Sequence, residues 1–109
     1  MIARVWRGWT SRDNAEAYDR LLQETILPSF AAIDGYRGGM IYRGEEGEHG
    51  VEFVITNFFT SVEALQAFAG QDDYTVAVIE PEARELLGKV ERVATHYDVR
   101  GTYLLDKPF

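Results

Sequence analysis

Cysteine is absent from the 109-residue chain, which removes disulfide scaffolds, cysteine nucleophiles, thiolate zinc sites and iron–sulfur clusters. Proline is scarce, at three residues, the ten glycines fall far short of a collagen-like or linker content, and aromatic residues make up 13% of the chain, so a disordered or linker-like protein is excluded. Positive charge is also in short supply. Eleven basic residues face 18 acidic ones, a net charge of −7, and that field repels nucleic-acid phosphates and anionic lipid. Nine of the eleven are arginines spread along the chain with no local cluster. The longest uncharged run, Phe53 to Val62, is far too short to cross a bilayer. The opening Met1-Ile2-Ala3-Arg4-Val5-Trp6-Arg7 has no apolar signal-peptide core. A cytoplasmic protein without nucleic-acid or membrane partners is therefore expected.

What is present suits one small globular domain. At 12.4 kDa the folded surface should be roughly 6,100 Å², against about 18,000 Å² for the extended chain. Residues 2–9 are rich in β-branched and aromatic side chains and read as a strand. Thr10 followed by Asp13 reads as a helix start, and Ala17, Tyr18, Leu21 and Leu22 keep a helical period, with Glu16 and Arg20 spaced as a surface ion pair. Pro28 is expected to end or kink this helix. Tyr36–Arg43 and Val51–Phe59 read as a hairpin about the acidic turn Gly44–Gly50. Thr60 caps a short helix that Gly70 stops, and Pro81 opens another running to about Leu87. Between them, Asp72–Ile79 alternates like a strand but is short and flanked by acids. Arg92–Val99 is the last strand and residues 101–109 form a C-terminal tail.

The order is β-α-β-β-α-β, an α+β, ferredoxin-like arrangement with a four-stranded antiparallel sheet carrying helices on one face. The strands do not alternate as a half-solvated sheet should. Phe53, Ile55, Asn57 and Phe59 point one way and Val54, Thr56 and Phe58 the other; Trp6 opposes Val5 and Trp9. One apolar face is left for something else to cover. A second copy packed sheet against sheet, a homodimer forming a dimeric α/β barrel, is the expected cover. The alternative is the tail folding back with Tyr103, Leu104, Leu105 and Phe109.

Several segments resemble one family. Ala3-Arg4-Val5-Trp6-Arg7-Gly8-Trp9-Thr10, Gly35-Tyr36-Arg37-Gly38, Ala67-Phe68-Ala69-Gly70 and Thr95-His96-Tyr97-Asp98-Val99 are similar, in order, to antibiotic biosynthesis monooxygenase-like proteins of the dimeric α/β barrel superfamily. The resemblance spans nearly all of residues 1–100, leaving 101–109 as a tail available to pack on the partner subunit. It implies a cofactor-independent monooxygenase acting with O₂ on a small aromatic or polyketide-like substrate. The superfamily also contains haem-degrading enzymes, isomerases, dismutase-like enzymes and proteins with no known activity, so the fold alone does not decide the activity. A haem-binding or haem-degrading protein and a non-catalytic small-ligand-binding barrel are the alternatives. Where relatives often carry Trp, this chain has Phe58, which keeps an apolar wall but lacks the indole N–H.

His96, inside an apolar strand, is the candidate catalytic base, against a structural histidine satisfied by its neighbours. Arg4 offers a fork of donors to an anionic oxygen or pairs with an acid across the dimer. Because first and last strands adjoin in this fold, Arg4 or Trp6 can lie near His96. Asn57, an amide amid apolar neighbours, either bonds a neighbouring element or lines a cavity. Arg4, Trp6, Asn57 and Phe58 are thus the candidate substrate-binding residues. Trp9, Tyr18, Tyr42 and Phe68 are further aromatic wall or core. His49 reads as a solvated loop residue, and Asp72-Asp73 and Glu80-Pro81-Glu82, lacking metal-ligand spacing, as a solvated face. No cofactor or metal is expected.

Overall fold

A computed structural model describes residues 1–107; Pro108 and Phe109, the end of the tail, lie outside the described residues. Strand β1 (Ile2–Thr10) runs into helix α1 (Arg12–Leu21), a π-helical turn (Leu22–Ile26), a last α-helical turn α2 (Leu27–Ser29) and a 3₁₀ turn (Phe30–Ala32). Strands β2 (Tyr36–Gly47) and β3 (Gly50–Phe59) follow, then helices α3 (Val62–Ala69) and α4 (Pro81–Leu86), and strands β4 (Leu87–Val90) and β5 (Thr95–Asp98). The antiparallel sheet is ordered β2-β3-β1-β4, with β5 also paired to β1. The expected α+β, ferredoxin-like topology is present, with one difference: the last strand is split, so the sheet has five strands rather than four. Thr10 and Gly8 pair with β4, while Ile2 to Val5 pair with β5.

The split has a visible cause. Between β4 and β5 the chain turns aside to bond the segment that precedes α4. Ala77 N–H donates to the Arg92 carbonyl at 2.9 Å and Ala94 N–H to the Thr75 carbonyl at 2.8 Å, around an isolated bridge between Val76 and Val93. The ambiguous stretch Asp72–Ile79 is thus an irregular strap pinned to the sheet edge.

Both helix starts fall one residue later than expected. Ser11, not Thr10, caps α1, accepting from Asn14 N–H at 3.2 Å, and Ser61, not Thr60, caps α3 through Ala64 N–H at 3.2 Å. Thr10 remains in β1, fully buried, its hydroxyl donating to the Leu86 carbonyl at 2.6 Å. Thr60 is held by its N–H bond to Gly35 O at 2.8 Å. Pro28 does not stop the helix. Its missing N–H is absorbed by the wider π turn before it, where Leu27 N–H reaches back to Leu22 O. Glu16 pairs not with Arg20 but with Arg43 on β2, at 2.5 Å, and Asp19 joins the same guanidinium at 3.3 Å.

The hairpin is longer than expected, since Gly44–Gly47 continue β2 and the chain reverses at Glu48 and His49. Gly50 makes this possible: its φ is +100°, and a Cβ there would lie 2.3 Å from the Thr10 carbonyl oxygen.

The core lies between the sheet and the helices. Ala15, Tyr18, Leu22, Ile26 and Phe30 from the helical segment meet Val51, Phe53 and Ile55 from β3. Tyr18 sets its edge against Phe53 at 5.0 Å between ring centroids, and Phe30 does the same to Phe68 at 4.8 Å. Each buried Phe is worth roughly 1.5–3 kcal/mol. The opposite sheet face carries Met40, Tyr42 and Tyr97, which stay 37%, 50% and 57% exposed. The tail does not cover it: Tyr103, Leu104 and Leu105 are 86%, 61% and 61% exposed. Among the described residues, no helix is long and apolar enough to cross a membrane.

Candidate functional site

Strand register places Asn57, Arg4 and His96 in one row across β3, β1 and β5. Alternation turns this row toward the helices, with Trp6 and Ile55 in the next row. Above it lies a cavity of about 40 Å³. Arg4, Trp6 and Asn57 form its polar floor, Tyr18, Leu22 and Phe68 contribute to its walls, and Val78, Ile79 and Glu80 close it from the strap.

Arg4 is 4% exposed. Its Nη1 donates to the Tyr74 carbonyl and meets His96 Nε2 at 3.0 Å, while Nη2 donates to the Val76 carbonyl at 2.8 Å. The Phe68 ring lies 5.3 Å from the guanidinium carbon, in cation–π range. No carboxylate pairs with Arg4 among the described residues. Burial lowers its pKa to about 10, so it is still a cation at neutral pH. A guanidinium has five N–H groups. The three bonds leave one N–H on Nη2 and the one on Nε without a partner among the described residues. The result is a desolvated positive charge held in place by neutral groups alone.

His96 stands on the far side of Arg4, at the sheet edge, and is not among the residues lining the cavity. A nitrogen facing a guanidinium N–H must be the acceptor, which puts the ring proton on Nδ1. Burial, then the charge of Arg4, lowers the His96 pKa and favours this neutral form. Tyr74 packs edge-on against the ring at 5.3 Å.

Asn57 does both things anticipated for it: Oδ1 accepts from the Tyr36 hydroxyl at 2.7 Å, and the residue lines the cavity. Its amide N–H₂ is left as a donor. Trp6 lines the cavity too, but its indole N–H is taken by the Glu91 carbonyl at 2.6 Å. Phe58 points to the other sheet face and lines nothing here. Of the further aromatics, Tyr18 and Phe68 face the cavity, whereas Trp9 and Tyr42 do not. His49 lies at the hairpin tip, 3.7 Å from the Glu48 carboxylate.

Glu80 corrects the reading of its segment as a solvated face. It is half-buried and lines the cavity, while Glu82 is exposed. Burial raises the Glu80 pKa, its own N–H lowers it, and the charge of Glu82 raises it again. Tyr18, 1% exposed, has its phenol pushed well above the ordinary range by burial and then by Glu80, so it stays a neutral hydroxyl. The signal for Glu80 was its place between the apolar Val76, Val78, Ile79 and the helix-opening Pro81. Acid-rich flanks masked it.

No family model and no curated protein matches the chain. Solved structures do. Rv0793 from Mycobacterium tuberculosis is 24% identical, with a TM-score of 0.61 over 93% of this chain and 96% of its own. A monooxygenase from the gene ActVA-Orf6 of Streptomyces coelicolor, solved in complex with nanaomycin D, is 15% identical, with a TM-score of 0.59 over 96% of this chain and 92% of its own. The likeness is one of fold: both share this chain's α+β architecture over nearly its whole length.

Proposed function

We propose that the protein is a cofactor-independent monooxygenase that ionises a small aromatic or polyketide-like substrate in the cavity and lets the anion react with O₂, working as a homodimer. The observation that carries this reading is Arg4, a cation in an aromatic-walled cavity with no carboxylate partner. A preorganised charge in a water-poor site favours the anion of a bound ligand over its neutral form. Asn57 offers a second donor to the same oxygen. His96 acts through Arg4, holding the guanidinium still, and not on the substrate.

The fold of a monooxygenase solved with nanaomycin D agrees with this substrate class. Electron and atom balance need no resident oxidant. The anion gives one electron to O₂, and the radical and superoxide combine into a peroxide. The peroxide anion takes back the abstracted proton, and cleavage of its O–O bond with loss of the remaining hydrogen on that carbon releases water and leaves a new carbonyl group. At about 40 Å³ the cavity holds a few waters, so a ring system enters only as apolar wall side chains such as Val78, Leu27 and Phe68 move aside. The carbonyls of Tyr74 and Val76 stay on Arg4 meanwhile.

Aerobic incubation with an anthrone, followed by oxygen electrode, tests the reading. Wild type should consume O₂ well above the spontaneous rate, and Arg4→Lys, which keeps the charge but loses the fork, should lower the rate about 10- to 1,000-fold. Uptake no faster than background would overturn it.

A further inference from the structure

Glu80 has an unusual position for an acidic residue. It occupies the N-cap of α4, where side-chain oxygens ordinarily accept from the first helical N–H groups, yet it makes no capping bond. It enters no ion pair among the described residues. The residue lines the cavity that Arg4 floors, and the two opposite charges form no ion pair. Apart from its own N–H, no group among the described residues bonds the Glu80 carboxylate.

We infer that Glu80 is the proton acceptor of this cavity. It takes a proton from an acidic C–H of an aromatic ketone whose oxygen faces Arg4 and Asn57. In this step the C–H bond breaks heterolytically. Its electron pair spreads through the ring onto the ketone oxygen, where Arg4 holds the charge, and the proton forms an O–H bond with a Glu80 carboxylate oxygen. Two features suit the task. A carboxylate half-removed from water is a stronger base than a solvated one. Separation from Arg4 keeps it from being neutralised before the substrate arrives. The groups facing it are Glu82 on its own helix, Tyr18 from α1 and Arg4 from β1; no charged side chain of β4 lines the cavity. Tyr18, as a neutral hydroxyl, can donate to either carboxylate or ligand. This inference rests on the cavity being an aromatic-ligand site, but not on the reaction with O₂.

Deuterium wash-in separates the two. Anthrone is incubated with the protein in D₂O under argon, and exchange at its methylene carbon is followed by NMR. Wild type should accelerate exchange, with the rate falling on the acid side as Glu80 is protonated. Glu80→Gln should bind anthrone, seen by tryptophan quenching, yet exchange about 10²- to 10⁴-fold more slowly and without that acid-side fall. Glu80→Asp should keep the acid-side fall at a reduced rate. Equal exchange by Glu80→Gln, joint loss of its binding and exchange, or no acceleration by wild type would each overturn the assignment. Exchange without O₂ uptake in air would leave Glu80 standing and remove the oxygenase reading.

Discussion

At the scale of single residues, the arrangement around Arg4 makes one imidazole sensitive to acid. His96 accepts from Arg4, so protonating it loses the bond and sets two cations 3.0 Å apart. Its pKa is lower in the folded protein than the 6.5 expected unfolded. Between those two values the unfolded chain binds more protons. The stability His96 contributes is therefore present above about pH 6.5 and is lost as pH falls through the folded value. Glu80, with a raised pKa, works in the opposite sense, favouring the fold at low pH and withdrawing that support as pH rises. His96→Gln isolates the first effect, because an amide carbonyl accepts from Arg4 at any pH. Urea midpoints should fall more steeply from pH 7 to pH 5 in wild type than in the variant; parallel curves would show that His96 does not titrate against Arg4. Arg4 and Asn57 were legible in the sequence as polar residues in apolar strands. The partners of Arg4 were only partly so, since carbonyls of Tyr74 and Val76 leave no trace in residue type.

Among the elements, the β2–β3 hairpin depends on a backbone conformation that only glycine adopts cheaply. Gly50→Ala meets both a φ of +100° and the Thr10 carbonyl at 2.3 Å, whereas a Cβ at Gly47, on the other side of the same turn, meets nothing within 4 Å. Urea denaturation should show Gly50→Ala destabilised by about 2 kcal/mol or more and Gly47→Ala changed by about 0.5 kcal/mol or less. Similar losses in both would mean the turn is not so constrained. Helix α1 was readable because burial writes itself into helical spacing, and β1 and β3 because they are rich in β-branched and aromatic residues. The outer half of β2 was not, because Gly44–Gly47 extend into solvent and bury nothing. Nor was the break between β4 and β5, since its cause is a strap about 17 positions earlier in the chain. The π turn before Pro28 also escaped: proline predicts a lost bond, not how the helix accommodates the loss.

For the whole molecule, the surface is larger than its mass requires. The described residues expose 7275 Å², against roughly 6,100 Å² for a compact monomer of this size. Their radius of gyration is 14.2 Å, where about 13 Å is typical. The excess is what an uncovered sheet face and an extended tail produce. Arg7 on that face pairs with Glu52 at 3.8 Å and Glu91 at 3.5 Å, exposed contacts worth little alone; the proposed homodimer would draw its stability from the apolar side chains around them. Sedimentation should give twice 12.4 kDa at low micromolar concentration. Tyr42→Asp, which sets a charge into the apolar face, should give a folded monomer by circular dichroism. A wild-type monomer would remove the homodimer from the proposed function.

The bonds of Arg4 span 70, 72 and 92 positions along the chain. Such distant partners meet late, after local turns and the central hairpin have formed. A chain in which only β1–β3 have paired has neither the imidazole nor the strap carbonyls beside the guanidinium, so its arginine remains hydrated until those segments dock. Assembly of the charge centre thus waits until the strap and β5 have docked on β1.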